Sequence, residues 1–186
     1  ISDLYLTYST GTTLNGGAGI LKSSTITIPS NTIPGNYYLL YFADYSNMVS
    51  ENNEINNLNY YQISVVASTV DLFILNPSLS QSNVAAGTSL SCNSYIYNQG
   101  NTAVNSSYIG YYLSTDTLWS TSDIYLTSNT GGSLSANTSS YRTNAVTIPS
   151  STTIGNYYTL FFADYSNSVA ELDEQNNKAT LRLTTR

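Results

Sequence analysis

Gly35-Asn36-Tyr37-Tyr38, Phe42-Ala43-Asp44-Tyr45-Ser46-Asn47 and Glu54-Ile55-Asn56-Asn57 return, 120 residues later, as Gly155-Asn156-Tyr157-Tyr158, Phe162-Ala163-Asp164-Tyr165-Ser166-Asn167 and Glu174-Gln175-Asn176-Asn177. Ile28-Pro29 and Glu51 recur at the same offset as Ile148-Pro149 and Glu171. The register holds without a gap from Ser2/Ser122 to about Ser64/Thr184. A fixed internal period takes precedence over local signals, because each copy must fold to the same unit.

Within each copy the local pattern is that of strands. Tyr38, Leu40 and Phe42 alternate with Tyr37, Leu39 and Tyr41, as side chains do on a pleated strand. Helical periodicity is not sustained in any part of the chain. In the first half the sequence predicts strands at Asp3 to Tyr8, Ser24 to Ile28 (closed by Pro29), Asn36 to Ala43 and Leu58 to Val66. In the second half it predicts Val70 to Leu75, broken by Asn76-Pro77, then Ser89 to Tyr97 and Tyr108 to Ser114. Ile124 to Ser128, Tyr141 to Ile148, Asn156 to Ala163 and Lys178 to Thr184 follow. Short β-rich runs between Gly, Asn and Pro turns imply an all-β fold, an antiparallel immunoglobulin-like sandwich repeated in tandem.

The second copy is a whole unit, residues 70–186, preceded by a linker at 67–69. The first, residues 1–66, corresponds only to the later half of a unit, since Ile1-Ser2-Asp3 aligns with Thr121-Ser122-Asp123. The expectation is a segment of a longer array. The first strands of its opening domain come either from upstream sequence or from another subunit.

Composition excludes several classes of function. Net charge is −6, and only 9% of residues are charged. Five Lys and Arg cannot form the basic surface that nucleic acid requires. No run of roughly 18 or more apolar residues offers a membrane-spanning helix. With 41% hydrophobic and 12% aromatic residues in regular alternation, the chain reads as packed rather than disordered. The single cysteine, Cys92, shares a strand face with Leu90, Ser94 and Ile96 and is expected to be a buried core residue.

Residues 70–184 resemble the CARDB family, the cell adhesion related domain found in bacteria. The resemblance is carried by Val70-Asp71-Leu72, Gly87, Asn98-Gln99-Gly100, Tyr111 to Asp116, Ser122-Asp123, Ile148-Pro149, Gly155 to Tyr158, Ala163-Asp164, Val169 and Glu171 through Asn177. The family's closing pattern, E-x-N-E-x-N-N, is met at Glu51 to Asn57 with one Asn shifted. At Glu171 to Asn177 it departs further, at Leu172 and Asp173. The resemblance implies a sandwich fold and a place in secreted or surface proteins, without naming a ligand.

Four sets of residues are candidates for chemistry. The sequence has no His, so the commonest general base is absent, and no enzymatic role is expected. Asp44, Asn47, Glu51, Glu54 and Asn56, with their counterparts Asp164, Asn167, Glu171, Asp173, Glu174 and Asn176, form oxygen-rich loops, and Asp116 with Asp123 forms another. These are candidate calcium ligands, because Ca²⁺ takes roughly six to eight oxygens. Their spacing matches no EF-hand, and the alternative is that they bond the backbone of their own turns. Tyr37, Tyr61, Tyr95, Tyr97, Trp119 and Tyr157 are candidates for an aromatic face that stacks on sugars or on another subunit. Tyr157 is also a candidate tyrosine corner. Asn105 and Asn137 stand in glycosylation sequons, and Asp116-Thr117-Leu118 offers Thr117 as an O-linked site.

The expected role is a non-catalytic structural or adhesive module, extracellular and exposed at the cell surface. Its partners would be neighbouring immunoglobulin-like repeats or identical subunits, or cell-surface glycans or proteins. The alternatives are a carbohydrate-binding module, an accessory domain of a large secreted hydrolase, and a filament subunit completed by strand addition.

Overall fold

β1 (Gly35–Phe42) and β2 (Leu58–Val65) pair antiparallel, Gly35 against Val65 and Phe42 against Leu58. At the same offset, β9 (Gly155–Ala163) and β10 (Lys178–Thr185) pair in the same register, Gly155 against Thr185 and Phe162 against Lys178. The two hairpins belong to separate units, Ile1–Ala67 and Ser68–Arg186. The computed structural model describes residues 3–186, all of them in strands, turns or irregular backbone.

The second unit is a two-layer sandwich. One layer, in the order β4-β10-β9-β6-β7, adds β4 (Asn83–Val84), β6 (Ile109–Ser114) and β7 (Ile124–Asn129) to the hairpin. The other layer is β3-β5-β8, formed by β3 (Leu72–Leu79), β5 (Ser89–Asn98) and β8 (Thr138–Thr147). Inward side chains from both layers meet in one core. Leu72, Ile96, Ile109, Tyr111, Leu113, Ile148, Phe161 and Leu183 are all buried there. Tyr111 and Phe161 pack edge to face across neighbouring strands, their centroids 5.4 Å apart. Leu90, Cys92, Ser94 and Ile96 face inward together, as their alternation requires, and burial pushes the Cys92 thiol up to about 12.

Besides shifts of one to three residues at other strand ends, two features differ from the sequence reading. β3 does not stop at Asn76-Pro77. It slips register there through a bulge, with Asn76 in the left-handed region at φ 50°, and continues to Leu79. A bulge absorbs the residue that proline's missing N–H would otherwise leave out of the ladder. The two-residue β4 also pairs, parallel to the end of β10. It is too short to carry an alternation.

Among the described residues of the first unit, the β1-β2 hairpin is the one ladder. The predicted strands at Asp3 to Tyr8 and Ser24 to Ile28 are irregular backbone. The second unit supplies the reason. Among the described residues, β7 pairs only with β6, and β8 only with β5. Among the described residues, nothing in the first unit corresponds to β5 or β6, so the copies of β7 and β8 find no ladder there. What remains pairable is β1 with β2.

The exposed core face follows from the same loss. Ile148 and Phe161 are fully buried, whereas their counterparts Ile28 and Tyr41 are 36% and 56% exposed. Burying such a side chain contributes roughly 1.5–3 kcal/mol. Phe161→Ala is therefore expected to destabilise the second unit by about 3–5 kcal/mol. Tyr41→Ala should change stability by no more than about 0.5 kcal/mol. Urea unfolding read by Trp119 fluorescence checks the first variant, and circular dichroism the second.

Candidate functional site

The loop from Asp164 to Asn177 joins β9 to β10, and its first job is to turn the chain. Asp164 and Asn167 both take positive φ, 42° and 50°, and Asn167 N–H donates to Asp164 O at 2.7 Å. Short polar side chains tolerate this left-handed backbone because they bond locally. Buried Asp164 accepts the Val169 N–H at 2.7 Å and the Ser168 hydroxyl at 2.8 Å. The Glu171 N–H donates to Glu174 at 3.0 Å, and the Gln175 N–H to Asp173 at 2.8 Å. The Ala163 N–H then closes onto Asn177 O at 2.8 Å.

The first unit repeats this pattern. Asp44 and Asn47 have φ of 40° and 52°. Asp44 accepts from Val49 N–H at 2.7 Å, Glu54 from Glu51 N–H at 2.9 Å, and Asn53 from Ile55 N–H at 3.1 Å. The Ala43 N–H donates to Asn57 O at 2.8 Å. The loop therefore forms without the rest of a sandwich around it.

Only in the second unit does the loop reach a first strand. Glu171 Oε2 accepts the Leu72 N–H at 2.6 Å, and Leu172 N–H donates to Val70 O at 2.8 Å. The Asn177 amide donates to Leu72 O at 2.7 Å. Asp71, buried, accepts Asn176 Nδ2 at 2.8 Å and Gln99 Nε2 at 2.6 Å. From the other side, the turn after β5 holds the same segment. Gln99 N–H donates to Asp71 O at 2.8 Å, and Thr102 N–H to Thr69 O at 3.0 Å. Gly100 is required there, since a Cβ would stand 2.3 Å from Thr69 O. Residues 69–72 thus sit in a clasp with the acidic loop as one jaw and the Asn98–Thr102 turn as the other.

The clasp decides what the loop's oxygens can do. Calcium needs its ligands to converge on one point. Here Asp164, Asp173 and Glu174 turn oxygens onto backbone N–H groups of their own loop, Glu171 and Asp71 hold the first strand, and Asn176 serves Asp71. Asn167 is exposed at the turn, and Glu51 and Asn56 are exposed in the first unit. Asp116 and Asp123 likewise accept the Leu118 and Ser120 N–H groups, both at 2.7 Å. Among the described residues, no three His, Cys, Asp or Glu side chains gather into a metal-holding group.

The aromatic candidates do not share one surface. Tyr37 and Tyr157 tie down the turn before their strands. The Tyr37 hydroxyl donates to Ile33 O at 2.8 Å, and Tyr157 OH lies 3.0 Å from Thr153 Oγ1. Tyr61 is 66% exposed on β2. Tyr95 and Tyr97 lie on the outer face of β5, where each meets a cross-strand ring, Tyr141 and Phe73, at 5.2 Å. Trp119 stands over the other layer, packed on Phe162 at 5.6 Å and near Tyr112 at 6.3 Å. Gly110 makes room beside them for the Tyr165 ring. Of the glycan candidates, Asn105, Asn137 and Thr117 are all exposed. Ser107, the hydroxyl residue of the first sequon, is buried and bonded to Gly132 O and Arg142.

The comparisons with known proteins point to one family. The CARDB family model matches residues 69–181. Among solved structures, the CARDB domain of a Pyrococcus furiosus protein, in complex with di-metal ions, is similar at 21% identity. It covers 65% of this chain and 97% of its own, with a TM-score of 0.49. A domain described as part of a cell-surface protein of Methanosarcina acetivorans matches at 22% identity, 62% and 93% coverage and a TM-score of 0.45. β-Glucosidase 3B of Thermotoga neapolitana matches at 12% identity, covering 67% of this chain and 17% of its own, with a TM-score of 0.43. No curated protein matches the sequence significantly.

One member of the clasp titrates. Burial pushes the Glu171 carboxyl up from 4.5 to about 7, against the Leu72 N–H that favours the charged form. The charges of Glu174, Asp164 and Asp71 add to the rise. The folded chain therefore holds a proton on Glu171 that the unfolded chain has released between pH 4.5 and about 7. This group's contribution is full below that window and is lost as pH rises through it. Glu171→Gln keeps an oxygen for the Leu72 N–H but cannot ionise. Its melting temperature is expected to gain on the parent's as pH rises across the window, with no further gain above it. Thermal melts of both proteins at several pH values check this.

Proposed function

Because the chain belongs to the CARDB family, we propose that it is a non-catalytic structural and adhesive module of a secreted, cell-surface protein, with immunoglobulin-like units stacked into a stalk or fibre. The observation that carries this reading is the acidic loop. Its carboxylates are the residues best suited to chemistry, and in the second unit they are spent on holding the sandwich closed. An element that repeats with its hydrogen bonds intact in both units has the behaviour of scaffolding. The exterior agrees, with few charges and many Tyr, Ser, Thr and Asn side chains. No helix among the described residues is long and apolar enough to cross a membrane. The CARDB family is itself associated with cell surfaces, which supports the proposed location.

The outer face of β3-β5-β8 favours a second reading, a glycan-binding surface. Phe73, Leu75, Tyr95, Tyr97 and Tyr141 adjoin there in register, with Leu75, Tyr95 and Tyr141 exposed. Aromatic rings of this kind stack on the apolar faces of sugars.

Protease shaving of intact source cells, followed by mass spectrometry of the released peptides, tests the surface reading. Peptides of residues 68–186 should be released before cytoplasmic markers, and their appearance only after lysis would contradict it. A glycan array separates the second reading. Binding that is lost in Tyr95→Ala and Tyr141→Ala supports it, and an array without binding removes it.

A further inference from the structure

We propose that the second unit binds a halide-sized anion in its interior, between Arg142, Ser94 and Tyr111. Among the described residues, five buried side-chain atoms have no hydrogen-bond partner, and Ser94 Oγ, Tyr111 OH and Arg142 Nε are three of them. Buried polar atoms are nearly always bonded, so three in one place point to a ligand. Arg142 lies on β8 directly opposite Ser94 on β5, and opposed residues of a ladder project to the same face. That face is the inward one, because Ser94 is 1% exposed and follows Cys92 in the buried alternation. Tyr111 comes to the same level from the facing layer and is fully buried. Burial raises the pKa of its hydroxyl, nearby Cys92 adds to the rise, and the Arg142 guanidinium opposes it.

The guanidinium is held by its outer nitrogens. Nη1 donates to Ser140 Oγ and Tyr141 O, and Nη2 donates to Ser107 Oγ at 3.1 Å. The Ser107 hydroxyl is itself committed, donating to Gly132 O at 3.0 Å. Gly131 lets the loop pass this close, since a Cβ there would stand 2.6 Å from Nη2. None of these partners is charged. The cation is half-buried, and among the described residues its buried Nε–H finds no acceptor.

The donors select the ligand. One guanidinium N–H and two hydroxyls can turn three hydrogens onto a single acceptor, and the first belongs to a cation. A buried charge needs a counter-charge. A halide ion accepts from all three groups and neutralises the guanidinium. A water molecule would bring two more hydrogens to a place already rich in them. Larger oxyanions need more room than an interior packed at crystal density offers around fully buried Cys92, Ile96 and Tyr111. Cys92 does not repel an anion, since burial pushes its thiol up to about 12 and leaves it uncharged at neutral pH.

The test melts the full chain in rising sodium bromide, with gluconate, too large to enter, holding the ionic strength constant. Tyr111→Phe and Ser94→Ala each remove one donor and nearly keep the shape of the core, and Arg142→Gln removes the charge. The parent's melting temperature is expected to rise with the logarithm of bromide concentration, as ligation of the folded state requires. Each hydroxyl variant should need about tenfold more bromide for the same rise, and Arg142→Gln should show no rise relative to gluconate. Crystals of the parent grown in bromide should show anomalous bromine density between the three side chains. A bromide response shared by the parent and all three variants would overturn the proposal. So would a water molecule at that position in the bromide crystals, and the parent crystals give this answer even where a variant fails to fold.

Discussion

The hydrogen bond from Leu72 N–H to Glu171 Oε2, at 2.6 Å, joins the beginning of the complete unit to a loop near its end. A sandwich needs such a link. Its first strand lies in one layer and its last hairpin in the other, and the core between them is apolar and undirected. Asp71, Asn176, Asn177 and Gln99 surround that bond and fix the height at which β3 enters its layer. Once β3 is placed, Leu72 and Ile74 face the core opposite β9 and β10. The cost is a half-buried carboxyl among three other acids, and it shows in the upward shift of Glu171.

The first unit makes the dependence visible because it holds the loop without the strand. Asp44, Glu54 and Asn53 form their local bonds as their counterparts do, so turn chemistry alone folds the loop. The hairpin register is also the same. What is lost is what the other strands supply in the second unit: the ladders of the β7 and β8 copies, the burial of Ile28 and Tyr41, and the clasp itself. One sequence motif thus appears in two contexts. The comparison separates what the motif dictates from what its partners dictate.

Most of the architecture was legible because strand alternation and turn residues are local signals. The alternation at Leu90 to Ile96 placed Cys92 in the core, and the Asp and Glu of each loop were legible as residues that bond the backbone of their own turns. The strands expected at Asp3 to Tyr8 and Ser24 to Ile28 failed because a strand exists only with a partner, and propensity does not report whether the partner is present. The bulge at Asn76-Pro77 was read as an end for a similar reason, since a local break and a local slip look alike in sequence. At the candidate site the acidic loop was legible, but its partners were not. Asp71 was the available signal, an acid inside the run Val70-Asp71-Leu72, which is otherwise apolar. Its significance lies in Asn176, 105 positions away. The aromatic candidates, close in kind, were dispersed by the two layers onto separate surfaces.

The strand partners, and not the repeated motif, give a unit its stability. Native-state amide exchange measured in one sample compares the equivalent strands directly, Tyr157 to Ala163 against Tyr37 to Ala43. The β9 amides should exchange only through global unfolding of their unit, while those of β1 exchange faster by orders of magnitude. Equal protection of the two strands would contradict it.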